Sequence, residues 1–169
     1  MKYSTLKFKN GFSLVEIITI LFIVSLGLVG ILSLIIQNIQ SQSYNKNNLV
    51  AYQLAQEGVE LVRKVRDSNW KASAPFDRNL SNGQYYMDYL DATPQAHNSS
   101  VPLELVLKQD ENDFYFHDLN STATSSPFSR LITLQKVGGS AVRTTVRVTW
   151  GERNRSYAYD LETLLYDWK

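Results

Sequence analysis

The stretch KNGFSLVEI, Lys9–Ile17, puts an acid, Glu16, at the mouth of a run that stays uncharged as far as Ile36. Ile17–Ile36 has only Thr19, Ser25 and Ser33 as polar interruptions. At about 1.5 Å per residue this run matches the roughly 30 Å hydrocarbon core of a bilayer. A carboxylate held near that depth is costly, so it needs a task or a partner. Gly11 stands on the other side of the puzzle, at the boundary between a basic leader (Lys2, Lys7, Lys9) and the apolar run.

Positive charge ahead of an apolar span predicts an N-terminus that stays on the cytoplasmic side of the membrane and a C-terminal bulk that is exported. Three readings share that orientation. An ordinary cleaved signal peptide has an apolar core of about 7–15 residues and a small-residue cleavage site; this run is longer and no such site closes it. A plain signal anchor accommodates the length but gives neither Gly11 nor Glu16 a purpose. The third reading uses both. GFSLVEI resembles the class III signal of type IV prepilins and the related pseudopilins. In that family a short basic leader ends in glycine and a membrane peptidase cuts after it. The new terminal residue, usually phenylalanine, is N-methylated, and a glutamate follows four residues later. The matching positions here are Gly11, Phe12 and Glu16, with Ser13, Leu14 and Val15 between.

The residue chemistry suits that resemblance. Glycine lacks a Cβ and lets the backbone enter a confined cleft extended. Cleavage before Phe12 creates an amine four residues from Glu16. In an apolar fibre core, an amine and a carboxylate each need a counter-charge. The resemblance therefore implies that Glu16 of one subunit meets the Phe12 amine of a neighbour and sets the axial register.

Beyond the apolar run, Gln37–Asn48 is polar and rich in Asn and Ser, mediocre helix formers. It contains no proline, and a helical pattern follows at once. Leu54, Ala55, Gly58, Leu61, Val62 and Val65 recur every three or four residues, with Gln53, Gln56, Glu57, Glu60, Arg63 and Lys64 largely opposite. One long helix from about Phe12 to about Asp67 is expected, ending near Ser68–Asn69 with Trp70 plugging the core. Glu60 and Lys64 have the spacing of a helical ion pair. Gln53–Trp70 is also similar to the corresponding segment of minor prepilins of the PilV-like sort. Gly27 and Gly30 suggest close helix–helix approach. Pilin helices can instead lose order in this region, often beside a proline that this chain lacks.

The remainder reads as strands. Tyr85–Leu90, Val101–Leu107 and Phe114–Leu119 are short candidates, and Asn120–Pro127 is turn-like. Arg130–Val137 and Val142–Trp150 have strand composition, with Val142, Val146, Val148 and Trp150 on one face. Gly151–Asn154 is a turn before Tyr157–Leu165, where Tyr157, Tyr159, Leu161 and Leu165 alternate inward. The expected class is α+β and pilin-like, a long N-terminal helix packed on an antiparallel sheet. Its parts are a leader (1–11), a transmembrane and assembly half (12–36), an amphipathic half (37–69) and a β-rich head (70–169).

Composition removes several chemistries. The chain has no cysteine, which excludes a disulfide framework, a Cys-ligated metal, a thiol nucleophile and a lipoprotein anchor. Without the three leader lysines, the 17 basic residues fall to 14 against 16 acidic ones, a net of −2, so no overall field draws nucleic acid. His97 and His117 form no metal-spaced pair, and His117 beside Asp118 reads as a surface or strand residue. QDENDF (Gln109–Phe114) lacks the glycine and terminal glutamate of a calcium loop and reads as a solvated turn. No phosphate loop or nucleophile elbow is present. Arg143, Arg147, Arg153 and Arg155 gather around the last hairpin near Tyr157 and Tyr159. They form either a DNA-gripping patch or a polar face paired with Glu152 and Asp160. Asn120–Ser126 offers hydroxyls to sugars by composition alone.

The resemblance thus implies a structural subunit, not an enzyme, with no cofactor or metal, and a role in adhesion, motility or DNA uptake. Its partners would be the prepilin peptidase/methyltransferase, other pilin subunits, the pilus assembly platform and the cytoplasmic membrane. After assembly it would lie in an extracellular or periplasmic fibre. A pseudopilin of a type II secretion or competence system shares every N-terminal feature. A rival of another class is an extracytoplasmic binding domain or enzyme on an uncleaved signal anchor.

Overall fold

The computed structural model describes residues 11–97, 105–110, 112, 114–117 and 123–168. A single helix, α1 (Leu14–Lys71), is followed by strands β1 (Gly83–Tyr86), β2 (Gln95–Ala96), β3 (Val106–Gln109), β4 (Tyr115–Phe116), β5 (Thr124–Val137), β6 (Ala141–Glu152) and β7 (Arg155–Tyr166). The chain divides into two compact units, Met1–Ser43 and Tyr44–Lys169, and α1 contributes to both.

In the first unit every residue from 11 to 42 is exposed. One segment of α1 is long and apolar enough to cross a membrane. Its many isoleucines and valines are not strong helix formers in water, but a helix satisfies every backbone N–H and C=O internally, which lipid demands. The hydroxyls follow the same rule. Thr19 Oγ1 donates to Val15 O at 2.8 Å and Ser25 Oγ to Leu21 O at 2.7 Å, so neither leaves a bare donor on the apolar surface. Gln37–Asn48 is helical throughout, as the absence of proline suggests.

In the second unit the helix is amphipathic. Ala51, Leu54, Ala55, Gly58, Val62 and Val65 are buried, and they share one core with Ile132, Leu134, Val142, Val146, Val148 and Leu165 of the sheet. Burying a Val or Leu side chain in this way stabilises by about 1.5–3 kcal/mol. Gly58 sets the helix-to-sheet spacing. A Cβ there would lie 2.8 Å from Val146 Cγ1 and 3.4 Å from Arg130 Cδ.

The helix runs to Lys71, about two residues past its expected end, and Trp70 lies within it. Trp70 packs against the core and meets the Trp168 ring at 4.6 Å, while the Arg66 guanidinium sits 4.5 Å from its ring centre. Ser73, with φ 53°, then turns the chain left-handed ahead of Pro75. Glu60 pairs with Arg63 rather than with Lys64, whose Nζ instead donates to Tyr89 O at 3.0 Å.

All pairings in the sheet are antiparallel. β5, β6 and β7 form a long meander, and the free side of β5 takes β1 along residues 132–134 and β3 along 124–129. The three long strands match their sequence signatures and extend beyond them. The short ones differ. β1 stops at Tyr86, because Met87 turns into the core and the Asp88 N–H donates to Asp91 Oδ2 at 2.8 Å. Only the end of Val101–Leu107 is described, and β3 carries on to Gln109. Phe114–Leu119 reduces to Tyr115–Phe116, with residues 118–119 outside the described ones.

Thr124–Pro127, expected as turn, is already strand. Lys108↔Ser125 and Gln109↔Thr124 pair it with β3, and the register slips between Val106 and Lys108, opposite Pro127. Proline cannot donate to a ladder and is tolerated at such an irregularity. The last hairpin is tighter than Gly151–Asn154. Pairing continues to Glu152↔Arg155, and Arg153 (φ 51°) and Asn154 (φ 62°) alone make the turn, the left-handed pair that suits strand twist.

Candidate functional site

Gly11, Phe12 and Ser13 precede the helix, and Glu16 lies in its first turn. Phe12 is 74% exposed. A Cβ on Gly11 would meet nothing within 4 Å. Lys2, Lys7 and Lys9 lie outside the described residues. Ser13 and Glu16 have the spacing of a capping box, serine before the helix and glutamate at its third position. The same carboxylate therefore has a local role open to it, and it lies where the positive end of the helix dipole favours an acid. Charge alone separates this role from an intersubunit one, since glutamine also serves a capping box.

Gly27 and Gly30 lie within unbroken helix, and a Cβ at either would meet nothing within 4 Å. They form a shallow notch on an exposed apolar surface.

The four arginines of the last hairpin do not converge as one charge patch. Arg147 faces Asp160 across β6 and β7, donating from Nε at 2.7 Å and from NH2 at 2.8 Å. This twin hydrogen bond holds the Asp160 carboxyl below its ordinary range and raises the Arg147 guanidinium further. Arg143 Nε lies 3.3 Å from Glu162 Oε1, and its NH1 donates to Gln135 Oε1 at 3.3 Å. Arg153 and Arg155 have no ion pair among the described residues and sit exposed at the hairpin tip. The expected partner Glu152 instead accepts from Asn47 Nδ2 at 3.1 Å. Tyr157, stacked on Trp150, is met by Tyr44 of the helix at 5.1 Å, so these rings serve the helix-to-sheet contact.

A buried polar centre escaped the sequence reading. Arg130 is fully buried among Phe128, Ile132 and Leu134 on the inward face of β5. Its NH2 donates to Met87 O at 2.8 Å and its NH1 to Leu54 O at 3.3 Å. Glu57 Oε2 lies 3.2 Å from NH1 and Asp88 Oδ1 lies 3.5 Å from NH2. Asp88 also receives the His117 backbone N–H at 2.7 Å, and His117 Nδ1 is 2.6 Å from its Oδ1. The His117 side chain is only 3% exposed, which corrects the surface half of its surface-or-strand reading; it directly follows β4. Asp118 is outside the described residues. The guanidinium thus joins α1 to the turn after β1, and Asp88 carries the link on to His117, the residue after β4. The only sequence signal was an arginine at an inward position of an alternating strand; nothing local points to Asp88, 29 residues before His117.

Asp110 Oδ1 accepts from the N–H groups of Asn112 and Phe114, each at 2.8 Å, the side-chain-to-backbone contact typical of Asp at a turn, while Glu111 and Asp113 of the expected turn lie outside the described residues. Among the described residues no group of three or more His, Cys, Asp or Glu could hold a metal ion. Two open clefts indent the second unit. One, with about 670 Å³ of empty volume, lies between α1 and β7 around Glu60 and Leu161. The other, about 790 Å³, is lined by Tyr89, Asp91 and Phe116. Their charged groups are largely engaged, Glu60 by Arg63, Glu162 by Arg143 and Asp88 by Arg130 and His117.

No protein-family model matches the chain, and neither does any curated protein or solved structure.

Proposed function

We propose that the chain is a prepilin-like structural subunit of a type IV pilus. It enters the cytoplasmic membrane, is cut after Gly11, is methylated on Phe12 and assembles through α1. The observation that carries this reading is one continuous 58-residue helix with Gly11 and Phe12 just ahead of it and Glu16 in its first turn. That helix is apolar and exposed in its first half and joined to an antiparallel sheet in its second.

Each part then has a physical task. An exposed apolar surface of this size needs lipid or other subunits to cover it. In the membrane, lipid covers it; in a fibre, the same surface of neighbouring helices does. The Phe12 amine and the Glu16 carboxylate neutralise each other between subunits, which fixes one axial register among many otherwise equivalent apolar contacts. The notch at Gly27 and Gly30 allows a neighbouring helix to approach closely.

Intact mass and N-terminal sequencing of the protein from its own host test the processing step. A terminus at methylated Phe12 is expected; an uncut chain in cells with a working peptidase would sink the reading. Glu16→Ala and Glu16→Gln test the charge. Both are expected to lower recovery in sheared fibres at least about tenfold, by loss of the paired charge. Normal assembly of Glu16→Gln alone would assign Glu16 to helix capping. A pseudopilin would be processed in the same way but absent from surface fibres.

A further inference from the structure

Asn-X-Ser/Thr triplets occur at Asn79, Asn98, Asn120 and Asn154. In an exported chain this triplet is the acceptor for an N-linked glycan on a surface loop. Asn98 and Asn120 lie outside the described residues. The other two are in very different surroundings. At Asn79 the middle residue, Leu80, is fully buried and its N–H is held by Asp77 O at 3.0 Å, so the chain is pinned at the centre of the triplet. At Asn154 the run Arg153, Asn154, Arg155 and Ser156 is exposed and forms the tip of the β6–β7 hairpin. Neither Asn154 nor Ser156 makes a side-chain hydrogen bond among the described residues. Ser156, two residues after the asparagine, leaves its hydroxyl unengaged beside the acceptor, whereas Glu152, two residues before it, accepts from Asn47 Nδ2.

We propose that Asn154 carries an N-linked glycan. The inference rests on export of the head, as the proposed function requires. The donor class is an oligosaccharide linked through its first sugar to a polyprenyl diphosphate, and the catalyst is a membrane oligosaccharyltransferase. The Asn154 carboxamide nitrogen attacks C1 of that sugar. The N–C1 bond forms, the C1–O bond to the diphosphate breaks, polyprenyl diphosphate leaves, and the amide proton passes to a base of the transferase. Nothing is oxidised or reduced. A carboxamide nitrogen is a weak nucleophile because its lone pair is shared with the carbonyl. The acceptor must therefore be held in place by its neighbours, and an exposed hairpin tip with an unengaged hydroxyl at the second position offers that grip.

Turn chemistry gives a competing reason for the asparagine, since Asn tolerates the left-handed region better than other side chains. It gives none for Ser156, and the two explanations part under substitution. Asn154→Asp keeps a short polar side chain suited to the turn but removes the nucleophile. Ser156→Ala leaves the turn residues untouched, and Ser156→Thr keeps the hydroxyl. Intact mass and peptide mapping of the protein purified from its own host are the measurement. The native protein should exceed its polypeptide mass by whole saccharide units mapped to Asn154. Asn154→Asp and Ser156→Ala should return to the bare mass with unchanged thermal unfolding, and Ser156→Thr should stay modified. A bare Asn154 in the native protein, or the same added mass in Asn154→Asp, overturns the inference. The same spectrum keeps the two ideas separate. A methylated Phe12 terminus with a bare Asn154 rejects the glycan alone, and an uncut chain rejects the pilin reading.

Discussion

The two halves of α1 belong to one helix and obey different solvents. From Leu14 to Gln42 every side chain is exposed, including Phe22, Val24, Leu28 and Ile36. From Ala51 to Asn69 one face is buried against a sheet and the opposite face is polar. The first half is held by its own backbone hydrogen bonds and needs an apolar exterior. The second is held by tertiary burial and needs a specific partner surface. On the proposed function, substitutions in the first half should alter membrane residence and assembly while leaving the head's unfolding unchanged. Those in the second should do the reverse.

The largest test is Arg130→Met, which strips the buried counter-charge from Asp88 and Glu57. Breaking a buried pair by removing one partner costs about 3–5 kcal/mol. Denaturant unfolding of the detergent-solubilised chain, followed by tryptophan fluorescence, should show it, with membrane retention intact. A loss below about 1 kcal/mol would mean that the network does not act as a unit. Val24→Arg works on the other half. Arginine at mid-span carries an insertion penalty of about 2.5–3.5 kcal/mol, so the membrane-integrated fraction should drop while the unfolding midpoint stays. A shifted midpoint would erase the division between the halves.

Gly58→Ala is smaller and more local. The new methyl would crowd Val146, and overpacking of this kind costs about 1–3 kcal/mol. Gly27→Ala and Gly30→Ala, which meet no neighbour, should leave the head's stability alone. Asp160→Asn should have the least effect, under about 1 kcal/mol, because the Arg147 pair is exposed and screened by water. Its pH dependence has a definite sign. Arg147 holds the folded-state carboxyl below its ordinary range, so its small contribution is complete above about pH 4 and fades as pH falls through the lowered value. Asp160→Asn should remove that acid-side slope, and an unchanged slope would show that the pair contributes nothing.

Periodicity made the long elements legible, and it failed where a contact was short or distant. Fourteen- and twelve-residue strands repeat their signal enough times to be read. The two-residue strands β2 and β4 contain less than one full alternation on each face, and their existence depends on pairing partners elsewhere. The composition of Asn120–Pro127 reads as a turn, yet β5 runs through Thr124–Pro127, where the β3 register slips. Charge partners were the weakest inference. Lys64 chose a carbonyl of the Tyr89 turn over Glu60, and Glu152 chose Asn47 over an arginine.

By itself the sequence determined the apolar span, its setting between Gly11 and Gln37, the amphipathic stripe beyond it and the β-rich remainder. These follow from transfer of side chains between water and apolar surroundings, which each residue carries wherever it is placed. Only the tertiary structure decided that Arg130 would be buried with Asp88 and His117, that Gly58 would bring helix and sheet together, and that Asn154 would stand at an exposed tip while Leu80 pinned Asn79. Those depend on which distant surfaces meet, and a short-range pattern contains no record of its partner.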